Sequence, residues 1–495
     1  MSAEAHHRVV VIGAGFAGLG MGIRLRQHGM TDFLVLERAA EVGGTWRDNS
    51  YPGCACDVPS QLYSFSFELN PTWSRNFSNQ REIWNYLRHC TESYGVHPHI
   101  RFHHEVLDAK WDHPRRRWRP RTNRSELTTD VLIAATGPLS DPKIPHIPGM
   151  NSFQGKIFHS ARWDHVYDLR NRQVAVVGTG ASAIQFVPEI QPDVASLTIF
   201  QRTAPWIMPR AEREHRRFEH RLYRAVPGVQ RLVRAGIYWG RELSLLGFTV
   251  NPRLLKLAEL TARRHLRRQV ADAELRARLT PRYAIGCKRI LISNDYLPAL
   301  TKPNVDVVAS GISRLGPHWA QAADGTRRDV DTVIFGTGFH VTDMPMPSWI
   351  RGRDSRTLAD VWSGGAQAHR GTTVAGFPNL FILVGPNTGL GHTSLIYMIE
   401  SQVAYIMDAL RYLQRTGAAA VEVRPEAQLA YNQDVQRRMA RTVGTTGGCT
   451  SWYLDAHGRN TTLWPTFTWR FRQGTRRFQP TEYVFHAHDT APVAA

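Results

Sequence analysis

One pattern occurs twice in this chain and constrains it more than any other: an apolar strand that runs straight into a glycine-rich turn and a helix. In the first copy the strand is Arg8-Val9-Val10-Val11-Ile12, the turn Gly13-Ala14-Gly15-Phe16-Ala17-Gly18, and the helix Leu19 to His28. The next strand, Phe33-Leu34-Val35-Leu36, ends on Glu37. A continuous apolar run is buried on both faces, which suits a parallel sheet. The glycines permit a tight turn and let backbone N–H groups and a helix N-terminus approach a pyrophosphate, while a carboxylate at the second strand end accepts hydrogen bonds from a ribose diol. Gly13, Gly15, Gly18 and Glu37 are therefore the expected contacts of a first dinucleotide.

The second copy is Gln173-Val174-Ala175-Val176-Val177 followed by Gly178-Thr179-Gly180-Ala181-Ser182-Ala183. Its next strand, Leu197 to Phe200, runs into Gln201-Arg202-Thr203 instead of an acid. A carboxylate would repel a 2'-phosphate and a guanidinium can grip it, so NADP is expected here, with Gly178, Gly180, Ser182, Arg202 and Thr203 as contacts. Two further strand-to-glycine junctions, Val131 to Gly137 and Val333 to Gly338, resemble the strand ends that close nucleotide domains in two-dinucleotide flavoproteins. The predicted fold is α/β, with Rossmann-like FAD and NADP domains. The arginine-rich stretch between them reads as amphipathic helices inserted into the NADP domain. The expected division is FAD domain 1–145, NADP domain 146–209, helical insertion 210–284, NADP domain 285–372 and FAD domain 373–495.

Composition narrows the class. At 495 residues, with 42% hydrophobic and 21% charged, the chain fits a globular protein of two or three domains. No run of about 18 uncharged apolar residues occurs and Met1 to Arg8 has no apolar signal core, so a soluble, cytoplasmic protein is expected. Cys54, Cys56, Cys90, Cys287 and Cys449 form neither a disulfide framework nor a CxxC pair, and a reducing compartment fits them best. No metal site is predicted. The formal charge of +19 accompanies no nucleic-acid motif, so nucleic acid is not an expected partner. Clusters such as Arg263-Arg264-His265 read as solvated helix faces, which leave room for weak contact with an anionic membrane surface.

Two longer patterns specify the chemistry. Phe153-Gln154-Gly155-Lys156-Ile157-Phe158-His159-Ser160-Ala161-Arg162-Trp163-Asp164 resembles, at each fixed position, the FxGxxxHxxxW(P/D) fingerprint of Baeyer-Villiger monooxygenases. Gly43-Gly44-Thr45-Trp46, Tyr51-Pro52-Gly53 and Asp57 resemble a second pattern of the same family. The resemblance runs through essentially the whole chain. It implies FAD and NADP(H) as cofactors and a ketone plus O2 as substrates, converted to an ester or lactone through a 4a-peroxyflavin and a tetrahedral adduct. An N- or S-oxygenating flavin monooxygenase and an uncoupled NADPH oxidase or flavin-binding sensor are the rival readings; Trp163 favours ketone oxidation.

Residue by residue, Tyr283 to Arg289 resembles the family's lysine-arginine step. This implies that Arg289 is the active-site cation, Asp57 its partner and Lys288 a contact of the 2'-phosphate. A permanent cation suits the chemistry, because it favours an anionic oxygen nucleophile and stabilises the alkoxide formed on attack. Gly44, Thr45, Trp46, Asp57, Tyr63 and Val106 are assigned by the same resemblance to cofactor contact, and Trp452 to the nicotinamide end of NADP. His159 is read as coupling domain motion rather than donating protons. Asn387, Gly389, Leu390 and Leu395 belong to the loop skirting flavin and substrate. Cys54 and Cys56 are expected to be inert packing thiols. The substrate ketone, and the choice between monomer and homodimer, stay open.

Overall fold

The two apolar runs that end on glycine become central strands of two separate sheets, the first mixed and the second wholly parallel. A computed structural model describes residues 5–249, 252–449 and 451–487. In the first sheet the strand Ala5–Ile12 lies between Phe33–Leu36 and Leu127–Ala134, parallel to both. Leu380–Ile382 joins Leu127–Ala134 in parallel, and the hairpin Val106–Asp112 and Arg117–Thr122 extends the sheet. Val9, Val10 and Val11 are buried, as strands covered on both faces must be. Val106 is buried in this sheet, two residues after His104, whose N–H donates to the Glu37 carbonyl.

The second sheet has five parallel strands in the order Val305–Val308, Ser196–Phe200, Gln173–Val177, Thr332–Phe335 and Lys156–His159. Side-by-side parallel strands with helical crossovers put both glycine turns at the carboxyl ends, where such sheets take ligands. Between Ser196–Phe200 and Val305–Val308 the basic segment forms four helices, Arg217–Ala225, Pro227–Thr249, Leu255–Gln269 and Ala273–Arg278. Leu255 and Ala262 join Trp206, Ile285 and Val443 in a small core of their own.

The structure departs from the sequence reading at two places. Residues 346–372, expected in the NADP domain, return to the first sheet: Ile350–Arg351 pairs with Val106–Asp112, and Met346, Leu358, Trp362 and Ala368 pack in its core. A two-residue strand carries too little periodicity to be seen in advance. Second, Cys287 and Cys449, 162 residues apart, are joined by a disulfide, while Cys54, Cys56 and Cys90 are free and buried. Only the fold brings those two segments together, so their spacing could not reveal the bond. Among the described residues no helix is long and apolar enough to cross a membrane, and no group of three His, Cys, Asp or Glu could hold a metal ion.

Candidate active site

The first glycine turn has the shape a pyrophosphate needs. Gly13 sits at φ +102°, and a Cβ there would lie 2.7 Å from the Ala135 carbonyl oxygen. A Cβ on Gly18 would lie 1.8 Å from the Gly13 oxygen, so the helix Phe16–Gln27 can press on its own turn only through glycine. Gly15 caps that helix and lies close against Gly44 (φ +51°), where a Cβ would come within 3.1 Å of the Gly15 Cα. Glu37 is buried at the next strand end, accepting from Ala14 N at 2.8 Å, Ala39 N at 2.9 Å and Arg47 Nη1 at 3.0 Å. Thr45 starts the short helix that carries Trp46, whose Nε1 donates to Tyr63 Oη at 2.9 Å; Tyr63 packs edge-on against Phe16. These residues fit an FAD: a bare backbone cradle, a strand-end acid and an aromatic wall.

The second turn repeats the geometry. Gly178 is at φ +106°, and a Cβ there would lie 2.5 Å from the Gly336 oxygen; Gly180 is exposed and Ser182 caps the helix Ala183–Ile190. Thr203 accepts from Thr179 through its carbonyl, and Arg202 stands exposed beside it. Burial, with the like charge of Arg202, pushes the Lys288 ammonium below its ordinary value. Two like charges that feel each other, with no carboxylate bridging them among the described residues, suit a dianion such as a 2'-phosphate.

Between the turns, the loop of Tyr51 to Asp57 docks on the second domain. Tyr51 Oη donates to Gln185 Oε1 at 3.0 Å and Gln185 Nε2 donates to the Ala55 carbonyl at 2.9 Å. Gly53 (φ +73°) allows that approach, since a Cβ would come within 2.6 Å of the Gln185 carbonyl oxygen. The loop thereby delivers Asp57 to Arg289, 232 residues away. Arg289 Nε and Nη2 each donate to an Asp57 carboxylate oxygen at 2.6 Å, and Nη1 reaches the Leu390 carbonyl at 3.4 Å. The two side chains are 26% and 27% exposed, so solvent reaches them only in part. Asp57's charge raises the Arg289 pKa further, above an already high ordinary value. Burial pushes the Asp57 carboxyl up, but Arg289's charge and hydrogen bonds outweigh it and hold the group below the usual range. The pair stays ionised at any ordinary pH.

The fingerprint residues lie at the edge of the second sheet. Gly155 is required by contact, because a Cβ would sit 2.0 Å from the Asp331 carbonyl oxygen. Phe153 is buried in the core beneath that sheet. Trp163 packs against Phe158 and Phe186 at ring distances of 5.2 and 5.3 Å. His159 Nδ1 accepts from Ala161 N, and burial drops its pKa to about 4, which leaves a neutral imidazole without a role as an acid at neutral pH. Burial likewise pushes the Cys54 thiol up to about 12 and the Cys56 thiol higher still, in keeping with inert packing thiols.

The loop of residues 385–394 is pinned from the C-terminal segment. Asn387 (φ +56°) donates through Nδ2 to the Asn460 and Leu463 carbonyls, both at 2.9 Å, and Gly389 N donates to the Thr462 carbonyl at 2.8 Å. Asn387 thus anchors the loop, Leu390 brings its carbonyl to Arg289, and Leu395 opens the following helix. Trp452 is 47% exposed beside buried Tyr453.

Sequence reasoning missed the contribution of the helical insertion. Glu242, 1% exposed, accepts from His392 Nε2 at 3.0 Å, Thr468 N at 2.9 Å and Thr468 Oγ1 at 2.7 Å. It ties the helix Pro227–Thr249 to the substrate-side loop. The neighbouring Arg241, its pKa lowered by burial and raised by Asp57, feels the charges of both Asp57 and Arg289. A signal existed: Glu242 is the single acid in that helix.

Residues 10–217 match the family described as pyridine nucleotide-disulphide oxidoreductase. The chain is 57% identical over 480 residues to a Baeyer-Villiger monooxygenase of Streptomyces coelicolor, covering 97% of this chain and 92% of that one. It is 50% identical to a Baeyer-Villiger monooxygenase of Pseudomonas aeruginosa, covering 100% and 94%. The chain belongs to the Baeyer-Villiger monooxygenase family. The monooxygenase fold also matches solved structures: closed cyclohexanone monooxygenase (TM-score 0.87, 25% identity, 98% and 100% of the two chains) and oxidised steroid monooxygenase bound to NADP (TM-score 0.84, 28%, 98% and 100%). This monooxygenase is an FAD-containing, NADPH-dependent enzyme, and the reaction of its family oxygenates a ketone to an ester or lactone.

Proposed function

We propose that the Asp57–Arg289 pair is the chemical centre of this monooxygenase and that the oxygen it helps deliver attacks a ketone carbonyl as a nucleophile. The supporting observation is the bidentate pair itself, a fixed cation whose charge reaches Tyr63 of the aromatic wall of the FAD cradle. Bound FAD, reduced by NADPH, supplies activated oxygen; the rest is charge and position. Attack on a carbonyl moves negative charge onto its oxygen, and a guanidinium already in place stabilises that charge without reorganising. Asp57 fixes the guanidinium plane and leaves Nη1 turned toward the substrate-side loop at Leu390. Lys288 and Arg202 hold the 2'-phosphate, the glycines of the two turns take the pyrophosphates, and Trp452 steadies the nicotinamide end. We place the enzyme in the cytoplasm, where NADPH is regenerated.

Arg289→Ala tests this reading. Ester formation is expected to fall by about 100- to 1000-fold, the usual cost of removing a preorganised donor, while NADPH oxidation continues with release of peroxide. Undiminished ester formation would contradict it. With the unaltered enzyme, a panel of ketones should give esters; if a thioether is converted to sulfoxide and no ketone reacts, nucleophilic delivery is wrong.

We also propose weak contact with anionic membrane surfaces through the insertion. On the helix Pro227–Thr249, Leu232, Trp239 and Leu243 are exposed at i, i+7 and i+11, and the next helix is rich in arginine. Sedimentation with phosphatidylglycerol vesicles should exceed that with phosphatidylcholine; equal recovery from both rejects it.

A further inference from the structure

The Cys287–Cys449 disulfide joins two segments given roles above. Cys287 immediately precedes Lys288 and Arg289, and Cys449 lies three residues before Trp452. Among the described residues the same segments also meet where Ala284 N donates to the Gly447 carbonyl at 3.2 Å, where Val443 packs on Ile285, and where Tyr453 feels the Arg289 charge. We propose that this disulfide is a reversible redox site that fastens the Trp452 loop to the Lys288–Arg289 segment and so tightens NADP binding. The inference rests on the reading of Lys288 and Trp452 as NADP contacts.

A disulfide in a compartment supplied with NADPH is more often transient or redox-sensing than structural. The enzyme can make its own oxidant, because NADPH oxidation without a ketone takes up O2 and a proton and yields NADP+ and hydrogen peroxide. A Cys449 thiolate attacks peroxide, breaking the O–O bond to give a sulfenic acid and one water; the Cys287 thiol then displaces the second water and forms the S–S bond. In total two thiols and one peroxide give one disulfide and two waters. A dithiol reductant reverses this by attacking the Cys449 sulfur, the more exposed of the pair, since Cys287 is 1% exposed. Cys287 leaves as a thiolate and takes up the proton given up by the attacking thiol, and the second thiol of the reductant releases Cys449. Cys54, Cys56 and Cys90 do not compete, being buried with thiols pushed far above neutral pH.

The test uses full-length, FAD-loaded enzyme equilibrated in dithiothreitol redox buffers with and without NADP+, with the disulfide counted by alkylation and peptide mass. Oxidised enzyme is expected to bind NADP+ about 5- to 10-fold more tightly than reduced enzyme. By reciprocity, saturating NADP+ should make the disulfide harder to reduce by the same factor, a shift of about 20 to 30 mV for a two-electron couple. Cys449→Ser should bind NADP+ as the reduced enzyme does and ignore dithiothreitol. Both cysteines alkylating after peroxide treatment, or equal NADP+ affinity in the two states, overturns the proposal. Ester formation on the same samples separates the two readings. Ester with equal affinities sinks the redox site alone; no ester with a clear affinity difference sinks the ketone assignment and supports the redox site.

Discussion

Replacing Asp57 by asparagine changes the charge at the centre while keeping the shape. The carboxylate accepts two hydrogen bonds from Arg289, both at 2.6 Å, with neither side chain more than about a quarter exposed. An amide can offer Arg289 only one acceptor; its NH2 would face the other guanidinium N–H, donor against donor. One charge-assisted bond is therefore lost outright, about 1.5 to 3 kcal/mol. If the guanidinium position matters chiefly in the transition state, each 1.4 kcal/mol is a factor of ten, and kcat for ester formation should fall by about 10- to 150-fold with little change in the ketone KM. NADPH oxidation should persist, so ester formed per NADPH consumed should drop as peroxide rises; gas chromatography and a peroxidase-coupled assay read the two. In a double variant with Arg289→Ala, the Asp57 change should add nothing further, because its effect acts through the arginine. Unchanged ester yield per NADPH, or additive losses in the double variant, would refute this role for Asp57.

Other perturbations probe the neighbouring parts. Arg202→Ala should raise KM for NADPH far more than for NADH, since only the former carries the 2'-phosphate; equal effects in steady-state kinetics reject the contact. Glu242→Gln leaves the Thr468 N–H facing an amide donor and weakens the bond to His392, for a cost of about 2 to 4 kcal/mol; an unchanged thermal midpoint would show that the buried cluster contributes nothing. His159 has a depressed folded pKa of about 4 against an ordinary 6.5. The unfolded chain therefore binds the proton first, and stability present above pH 6.5 is lost as pH falls toward 4, by about 3 kcal/mol at most. His159→Asn should flatten that part of the pH profile of thermal stability; a parallel profile would contradict the shift.

Much of the fold is local in origin and so could be read from residues. Gly13 and Gly178 each end an apolar strand, and the positive φ follows from that local turn, although the backbone that crowds them, at Ala135 and Gly336, comes from distant strands. Gly155 is legible through the spacing of its motif, but the reason it must be glycine, the Asp331 backbone lying where a side chain would be, is long-range. What escaped depends on long-range closure. Cys287 and Cys449 meet across 162 residues, and Glu242 meets His392 across 150; neither pair has any spacing rule. The basic insertion illustrates the limit best: Arg231, Arg264, Arg267 and Arg268 do face solvent, but Arg234 turns inward to the Gln61 and Ser64 carbonyls and Glu242 is buried, where composition alone gave them the same reading as their neighbours.

The position of the central pair has a mechanical consequence. Asp57 hangs from the first domain and Arg289 from the segment returning out of the insertion, so the cation is oriented only while the domains are docked. That docking is close because Gly53 and the Gln185 amide make it so. Arg289 is bound on its other side by a weaker contact at Leu390, whose loop is in turn pinned by Asn387 and by the Glu242–His392 pair. Charge for the chemistry and rigidity for the charge thus come from five separate stretches of chain. A change in any one of them should reach the reacting oxygen through the orientation of a single guanidinium.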